Sequence, residues 1–562
     1  MAQAINWRYL LRVGLLAGVI LLYVSAIGLI ETFSVRSLIA DVLTLGQLIL
    51  FAAAFIVGYM AARHIPGPSS PVVMLINGAI VGFLSSLPVL LLIFLAEPLN
   101  LRAVFVNISP VLVRLLTFQQ ESMMVGVLLL ILSTTVLGAL GAVLWQAPPR
   151  LRQALSKATL WVLGIGLFSE ILTQILRPLL NDGTRVIFQG SSLKPVAALI
   201  LFVLTATLAY ITSQPQNPIR TRFDALPSTQ QRALRLVAAA TLILLVLLLP
   251  RIVGSYLSEI LVNVGLYVLM GLGLNMAVGL AGLLDLGYVA TFAIGAYTMA
   301  IFTSEGQLGI FHTNFWVAVP FSILAAMFAG FCLALPILRM RGDYLAITTL
   351  GFGEIIRLLA LSDWLKPYIG GAQGILGIPK ASLFGFVFRQ PPQIYYLVLA
   401  SGLLVFFISQ RLNNSRTGRQ WMAMREDEDA AKAMGIDTTR SKLLAFTLSA
   451  ASGGLAGALF ASKLGTLFPN SFELLISINV LALIIVGGMG SMPGIVLGAF
   501  VLVGMPELLR EFSEYRQLAY GILLIFMMLA RPEGLLPSAV RQRELHHAHE
   551  VEPIVTSPSA GD

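Results

Sequence analysis

The sequence predicts an all-α polytopic membrane protein with about 16 membrane-embedded helices, six in an N-terminal block and about ten beyond it. Three observations carry this reading. Only 11% of the 562 residues are charged and 57% are hydrophobic, whereas soluble domains carry about 25% charged residues. Mean hydropathy is +0.88, which excludes an ordinary soluble chain. The apolar runs are long and continuous, not alternating over ~10 residues as the strands of a membrane barrel do.

The first run opens with Arg8 and Arg12 and continues past Val24-Ser25-Ala26. It is too long for a cleaved leader, and more spans follow. It therefore reads as an uncleaved first helix with its N-terminus in the cytoplasm. Apolar segments then fall at 13–31, 38–61, 71–96, 123–145, 158–177 and 195–213. The fifth carries Glu170, an unusual residue for a span. Residues 98–121 hold Arg102, Asn107 and Arg114 and read as an interfacial or re-entrant piece. The loops 147–157 and 214–235 are rich in arginine, and an even span count puts both in the cytoplasm, as the positive-inside rule requires. The net charge of +9 is carried by such loops and reflects anionic lipid, not nucleic acid.

The polar, three-proline stretch 214–235 separates two hydrophobic blocks and reads as a linker. The division is 1–213, a membrane block; 214–235, a cytoplasmic linker; 236–536, a second membrane domain; and 537–562, a disordered cytoplasmic tail. The second domain has apolar segments near 236–250, 256–280, 283–303, 315–338, 344–361, 394–410, 441–462, 473–489, 492–509 and 517–530. Cys332, the chain's one cysteine, lies in such a run and reads as a small packing residue. His546, His547 and His549 in the tail have no rigid scaffold to make them a metal site.

Several stretches could carry function. The loop 411–442 holds seven basic and five acidic residues. Within it MREDEDAAKAMG reads as one short helix, its acids Glu426–Asp429 at the N-terminus and Gly435 as C-cap. It is either a docking element for a cytoplasmic partner or a solvated loop. Gly453 and Gly457, and Gly494 and Gly498, stand four apart, which suits close helix packing. In GLNMAVGLAGLLDLGYVATFAIGAYTMAIF, Asn275 and Asp285 interrupt the apolar run, and Asp285 reads as a cap for the next helix. The turn VGGMGSMPG is followed by no G-x-x-x-x-G-K-[ST], and that motif occurs nowhere, so the chain has no P-loop of its own. In RMRGDYLAITTLGFGEIIRLL, Thr348, Thr349, Gly351 and Gly353 suit a short helix packed in protein. Glu354 and Arg357, three apart, can pair locally.

These motifs, in this order, resemble one family. The block from about 255 to 536 is similar to the inner-membrane permease subunits of ABC importers for branched-chain amino acids, specifically the larger of two paired permeases. The carrying stretches are GLNMAVGLAGLLDLGYVATFAIGAY, LRMRGDYLAITTLGFGEIIRLL, REDEDAAKAMGIDTTRSKLLAFTLSAASGGLAGALFA, IIVGGMGSMPGIVLGA and ILLIFMMLARPEGLL. The resemblance implies that Asp429, Ala430, Ala431 and Gly435, matching the family's E-A-A-x-x-x-G, and with them Arg425, couple to an ATPase. It implies that Gly370, Gly371, Gln373 and Gly374 face a binding protein, although IGGAQGI departs from the family's T-G-G-P-N-G-I. Asn275, Asp285, Thr348, Thr349, Gly351, Gly353, Glu354 and Arg357 stand as pathway or helix-packing residues.

The implied partners are two cytoplasmic ABC ATPases, a second permease, an extracytoplasmic solute-binding protein and membrane lipid. No cofactor is implied in this chain, and ATP is bound by the partners. The implied solute is a branched-chain amino acid or a related small polar molecule such as urea or an amide. The chain would be multi-pass in the bacterial plasma membrane, with both termini cytoplasmic. The competing reading is an ion-coupled secondary transporter acting alone, with Glu354 and Asp285 as carriers. Block 1–213 has no counterpart in the family pattern.

Overall fold

The computed structural model describes residues 7–64, 71–96, 98–180, 183–190, 192–212, 228–337, 340, 342–508 and scattered positions from 518 to 537. The expected tail histidines, Arg339 and Arg341, and most of the expected 517–530 segment lie outside these residues. Among the described residues ten helices are long and apolar enough to cross a membrane. Three shorter apolar helices, Pro195–Ile211, Tyr288–Thr303 and Met492–Glu507, join them. The fold is all-α and polytopic. The chain forms two compact units, Met1–Ala240 and Thr241–Asp562.

In the first unit α1 (Trp7–Ala26), α2 (Leu45–Arg63), α3 (Pro71–Ala96) and α4 (Met123–Gln146) form a bundle. Apolar side chains gain little by leaving lipid, so close contact depends on small residues. A Cβ on Gly58 would lie 2.0 Å from the Gly138 carbonyl oxygen, so α2 and α4 touch backbone to backbone. Thr44 opens α2 with a capping box, accepting from the Gln47 N–H at 3.3 Å while its own N–H donates to Gln47 Oε1 at 3.1 Å. The expected interfacial piece is a 3₁₀ turn, Leu101–Ala103, and a short helix, Pro110–Leu116. It is fastened by Asn107 donating to the Ile27 carbonyl and Ser109 donating to Glu31.

A small sheet joins distant parts of the first unit. β1 (Ser37–Ile39) pairs antiparallel with β2 (Leu43–Thr44). It also pairs in parallel with β4 (Ser192–Leu193), which forms a hairpin with β3 (Phe188–Gln189). Residues 37–44 and 188–193 therefore lie side by side. α5 (Pro149–Leu167), which follows α2, α3 and α4, ends between them, and it is not one of the ten helices apolar enough to cross a membrane. The expected fifth segment, 158–177, is thereby redrawn. α5 stops at Leu167, and Glu170 belongs to a separate helix, Ser169–Leu180, where it pairs with buried Arg36 at 3.2 Å. A carboxylate next to a helix end is satisfied by an arginine across the sheet and is not a charge in lipid.

After α6 (Pro195–Thr212), the second unit begins within α7 (Ser228–Asn275). Gly254 interrupts this helix at φ +77°, four residues after Pro250. The proline removes one helical N–H, and only glycine takes that φ at no steric cost, so the expected break between 250 and 256 is present. α7 runs into a π-helical turn, Met276–Leu280. α8 (Tyr288–Thr303), α9 (Phe315–Ile337), α10 (Asp343–Leu361) and α11 (Pro391–Asn413) follow. α12 (Arg416–Glu426) and α13 (Glu428–Ala433) precede the long α14 (Thr438–Leu464), then α15 (Leu474–Gly487) and α16 (Met492–Ala499).

α14 is the central post, packed on α8 and α9. A Cβ on Gly457 would meet the Phe292 carbonyl oxygen at 2.1 Å, and one on Gly295 would meet Gly454 Cα at 2.4 Å. Gly494 and Gly498 press likewise on the Gly487 and Leu483 carbonyls. The four-residue glycine spacings are thus packing contacts. Cys332 is exposed on α9 instead of packed. The face of α9 that meets α14 is built from Ala326, Gly330, Leu333 and Ala334.

Candidate functional site

The charged loop folds into two helices where the sequence suggests one. Asp427 is extended (φ −153°, ψ 113°) and ends α12. Its Oδ1 accepts from the N–H groups of Asp429 (2.8 Å) and Ala430 (2.9 Å), so it caps α13. An aspartate bonds the backbone two and three residues on more readily than it continues a helix. That preference divides MREDEDAAKAMG. Gly435, at φ +85°, closes the segment, and Asp437 caps α14 through the Arg440 N–H.

One face of this helix pair is buried in the membrane unit. Trp421 is 0% exposed and packs with Met424 and Ala431 among Met276, Leu280, Leu283 and Phe446. Its indole N–H donates to the Ser441 carbonyl at 2.9 Å. Lys442, on α14, pairs with Glu428 of α13 at 2.7 Å. Arg425 donates to the Gly279 carbonyl, in the π-helical turn, at 2.8 Å. The other face is open: Asp429, Ala430, Lys432, Ala433 and Gly435 are exposed, and Met434 is 84% exposed. Of the five expected coupling residues, Asp429, Ala430 and Gly435 point away from the unit. Ala431 is 4% exposed and points in, and Arg425 reaches in.

Behind Arg425 the π-helical turn is held from a second side. Asn275 Oδ1 accepts from the Gly490 N–H at 3.0 Å, joining α7 to the glycine-rich turn before α16. Asp285 Oδ1 accepts from the Gly287 N–H at 2.9 Å, just ahead of α8. In the same turn the Leu286 N–H donates to Thr349 Oγ1 at 3.0 Å, and Gly287 abuts the Thr349 carbonyl and Gly353. Asn275 therefore belongs with Arg425 and Gly490, and Asp285 with Thr349 and Gly353. Thr348 and Gly351 stand apart: Thr348 donates to the Tyr344 carbonyl in its own helix, and Gly351 adjoins open space. Glu354 and Arg357 form the local pair. Arg357 Nε lies 3.0 Å from both carboxylate oxygens, and Nη2 bonds Oε1.

At the other end of the unit Gly370, Gly371 and Gly374 all have positive φ (79°, 54° and 69°), and Gln373 is exposed. A side chain at Gly374 would strike the Leu467 carbonyl at 2.0 Å. The loop continues into β5 (Ile375–Leu376), which pairs with β6 (Thr466–Leu467) beyond α14. Lys463, near the end of α14, pairs with Glu259 at 2.7 Å and bonds Asn263, while Lys380 donates to the Lys463 carbonyl. Burial pulls the Lys380 ammonium below its usual range; Glu259 opposes this and Lys463 adds to it. A cavity of about 350 Å³ lies beside the loop, lined by Leu361, Ala372, Phe468, Pro469, Asn470 and Ser471.

Sequence reasoning passed over Trp421, Lys442, Gly279 and Gly490. A lone tryptophan inside a charged loop is a readable sign of an anchor. The partners of a backbone carbonyl such as that of Gly279 leave no such sign.

Comparison with known proteins places this geometry. The family described as branched-chain amino acid transport system / permease component matches residues 256–530. The high-affinity branched-chain amino acid transport system permease protein LivM of Escherichia coli K12 is 42% identical over 341 residues. That alignment covers 57% of this chain and 78% of the relative. The probable LivM of Methanocaldococcus jannaschii is 25% identical over 351 residues, covering 54% of this chain and 95% of that one. The permease LivH of Salmonella typhimurium is 25% identical over 287 residues, covering 48% and 91%. No solved structure matches. A membrane unit with a buried-and-exposed charged helix pair, in a chain this similar to LivM, belongs to the permease family of branched-chain amino-acid ABC transporters.

Proposed function

We propose that the chain is the membrane-spanning subunit of an ATP-driven importer that moves branched-chain amino acids, or a related small polar solute such as urea or an amide, into the cytoplasm. The α12–α13 pair faces the cytoplasm and docks an ABC ATPase. The 370–374 loop faces outward and meets a solute-binding protein. Two ATPases, a second permease and the binding protein complete the assembly in the plasma membrane, with both chain termini cytoplasmic. Coupling runs through residues 411–442, and ATP binds the partners alone. This chain supplies a bistable helix arrangement that the ATPases bias.

One observation carries the reading: α12–α13 is anchored by Trp421, Arg425 and Glu428 on one face and presents Asp429, Ala430 and Met434 on the other. A rigid, two-faced element suits force transfer, and an exposed methionine adapts to a partner groove. Cysteine cross-linking tests it after exposed Cys332 is replaced by serine. Met434→Cys and Ala430→Cys should capture an ATPase in the working complex, and Ala431→Cys should not. Absence of capture from both Met434→Cys and Ala430→Cys would sink the docking assignment.

The ion-coupled alternative needs carboxylates free to load and unload. Glu354 is held by Arg357, and Asp285 is buried and accepts the Gly287 N–H. Uptake by the chain alone under an ion gradient would restore that alternative. The proposed division keeps 1–213 as an accessory membrane block, 214–235 as a cytoplasmic linker, 236–536 as the permease and 537–562 as a tail. The family match begins only at 256, so a chain starting at residue 214 should retain ATP-dependent leucine uptake. Loss of uptake by a well-folded truncated chain would make the block part of the transport machinery.

A further inference from the structure

The last carbonyls of a helix have no partner within it. α7 ends in the π-helical turn Met276–Leu280, and all five residues of that turn are buried. Donors must therefore come from other elements. Arg425, in the last turn of α12, donates to the Gly279 carbonyl at 2.8 Å. A cation at a helix C-terminus also meets the negative end of the backbone dipole. The two elements lie close: a Cβ on Gly282 would stand 2.8 Å from Arg425 Cγ. The end of α12 and the end of α7 are thus fastened to each other.

One turn earlier, the Asn275 side chain lies over Gly279, where a Cβ would stand 1.9 Å from its Oδ1. That oxygen accepts from the Gly490 N–H at 3.0 Å. Gly490 belongs to the turn between α15 and α16, which is braced from a third side. The N–H groups of Leu535 and Leu536 donate to the Val486 and Gly487 carbonyls at 2.9 and 3.0 Å. Asn275 is 0% exposed, yet among the described residues its Nδ2 has no hydrogen-bond partner. A buried donor left open is costly, so a small shift of this turn can relieve it. A π-helical turn bonds residue i to i+5, one beyond the α-helical i+4, so a local change of pairing moves what hangs on it.

We propose that the π-helical turn Met276–Leu280 is the joint through which a displacement of α12–α13 reaches the α15–α16 turn, with Arg425 and Asn275 as its two positioning residues. Movement of α12 pulls on the Gly279 carbonyl through the Arg425 guanidinium. The turn changes its pairing, Asn275 moves with it, and the Gly490 N–H carries the movement to the glycine-rich turn. α15 and α16 then move together, because that turn joins them and the 535–536 backbone braces it. Packed elements of this kind switch between arrangements and do not deform continuously. This deepens the importer reading and rests on it.

The test uses the full complex, reconstituted with its ATPases, second permease and binding protein. Hydrogen exchange is compared before and after trapping with ATP and vanadate. In the wild type it should change in 416–435, in 276–283 and in 486–491. In Arg425→Gln and in Asn275→Leu the change should persist in 416–435 and vanish from 486–491. Leucine moved per ATP hydrolysed should fall about tenfold in each, a size typical of coupling between distant sites. Arg425→Lys keeps a charged donor and should lose less, about threefold. The double variant should be no worse than the poorer single one, because the two bonds act in series; independent structural losses would add. A wild-type response in 416–435 with none in 276–283 and 486–491, or variants that keep the 486–491 response, would overturn the joint and leave the importer reading standing. A wild-type complex that imports no leucine on ATP would overturn the importer reading, and the joint with it.

Discussion

A Gly457→Leu chain should fail to accumulate as a folded protein, or melt far below the wild type. The Cβ alone would sit 2.1 Å from the Phe292 carbonyl and 2.7 Å from the Ala296 N–H, both backbone atoms of α8. Neither can swing aside, so α8 and α14 must part. α14 is the post on which α8 and α9 pack, and the separation would loosen contacts all along it. Overpacking a well-filled core costs about 1–3 kcal/mol and occasionally more, and a backbone collision belongs at the upper end. Gly402→Leu is the matched control. Nothing lies within 4 Å of a Cβ there, and leucine is the better helix former by up to about 1 kcal/mol. Size-exclusion profiles of detergent-solubilised protein during heating check both. Equal melting of the two variants would refute the role given to the α8–α14 contact.

Trp421→Ala should free the α12–α13 helix pair without unfolding the rest of the membrane unit. The side chain is fully buried among Met276, Leu280, Leu283 and Phe446, and its N–H holds the Ser441 carbonyl. Truncating a buried tryptophan costs about 3–5 kcal/mol. Here the loss falls on a short helix pair with few other anchors. Hydrogen exchange over 416–435 should rise sharply and exchange in α14 much less. ATP-driven leucine uptake should collapse while the ATPases still turn over. Unchanged exchange in 416–435 would show that Lys442–Glu428 and Arg425–Gly279 suffice to hold the segment.

Much of this was readable along the chain. The spans follow from apolar length, because a helix satisfies its own backbone in lipid and needs only a long enough run. The break after Pro250, the stop at Gly435 and the Glu354–Arg357 pair are local events within a turn of sequence, and local rules found them. Where neighbouring residues offered two outcomes, those rules fell short. Asp427 could have stayed in one helix with Glu426 and Asp429. Its cap on Asp429 and Ala430 won instead. Glu170 counted as a flaw in a span until Arg36, 134 residues away, was found beside it.

By itself the sequence determined the class, most of the spans, the family motifs and the place of the charged loop 411–442. Each depends on composition or on residues within a few positions of one another. Only the tertiary structure decided which face of 421–435 turns inward, that Ala431 is an anchor, and that Arg425 grips Gly279. It alone brought the cavity of 468–471 beside α10. The reason is physical: in a membrane unit most side chains are apolar whether they meet lipid or protein. Hydrophobicity marks the helices but not their partners, and partners are chosen by glycine contacts and single hydrogen bonds between distant positions.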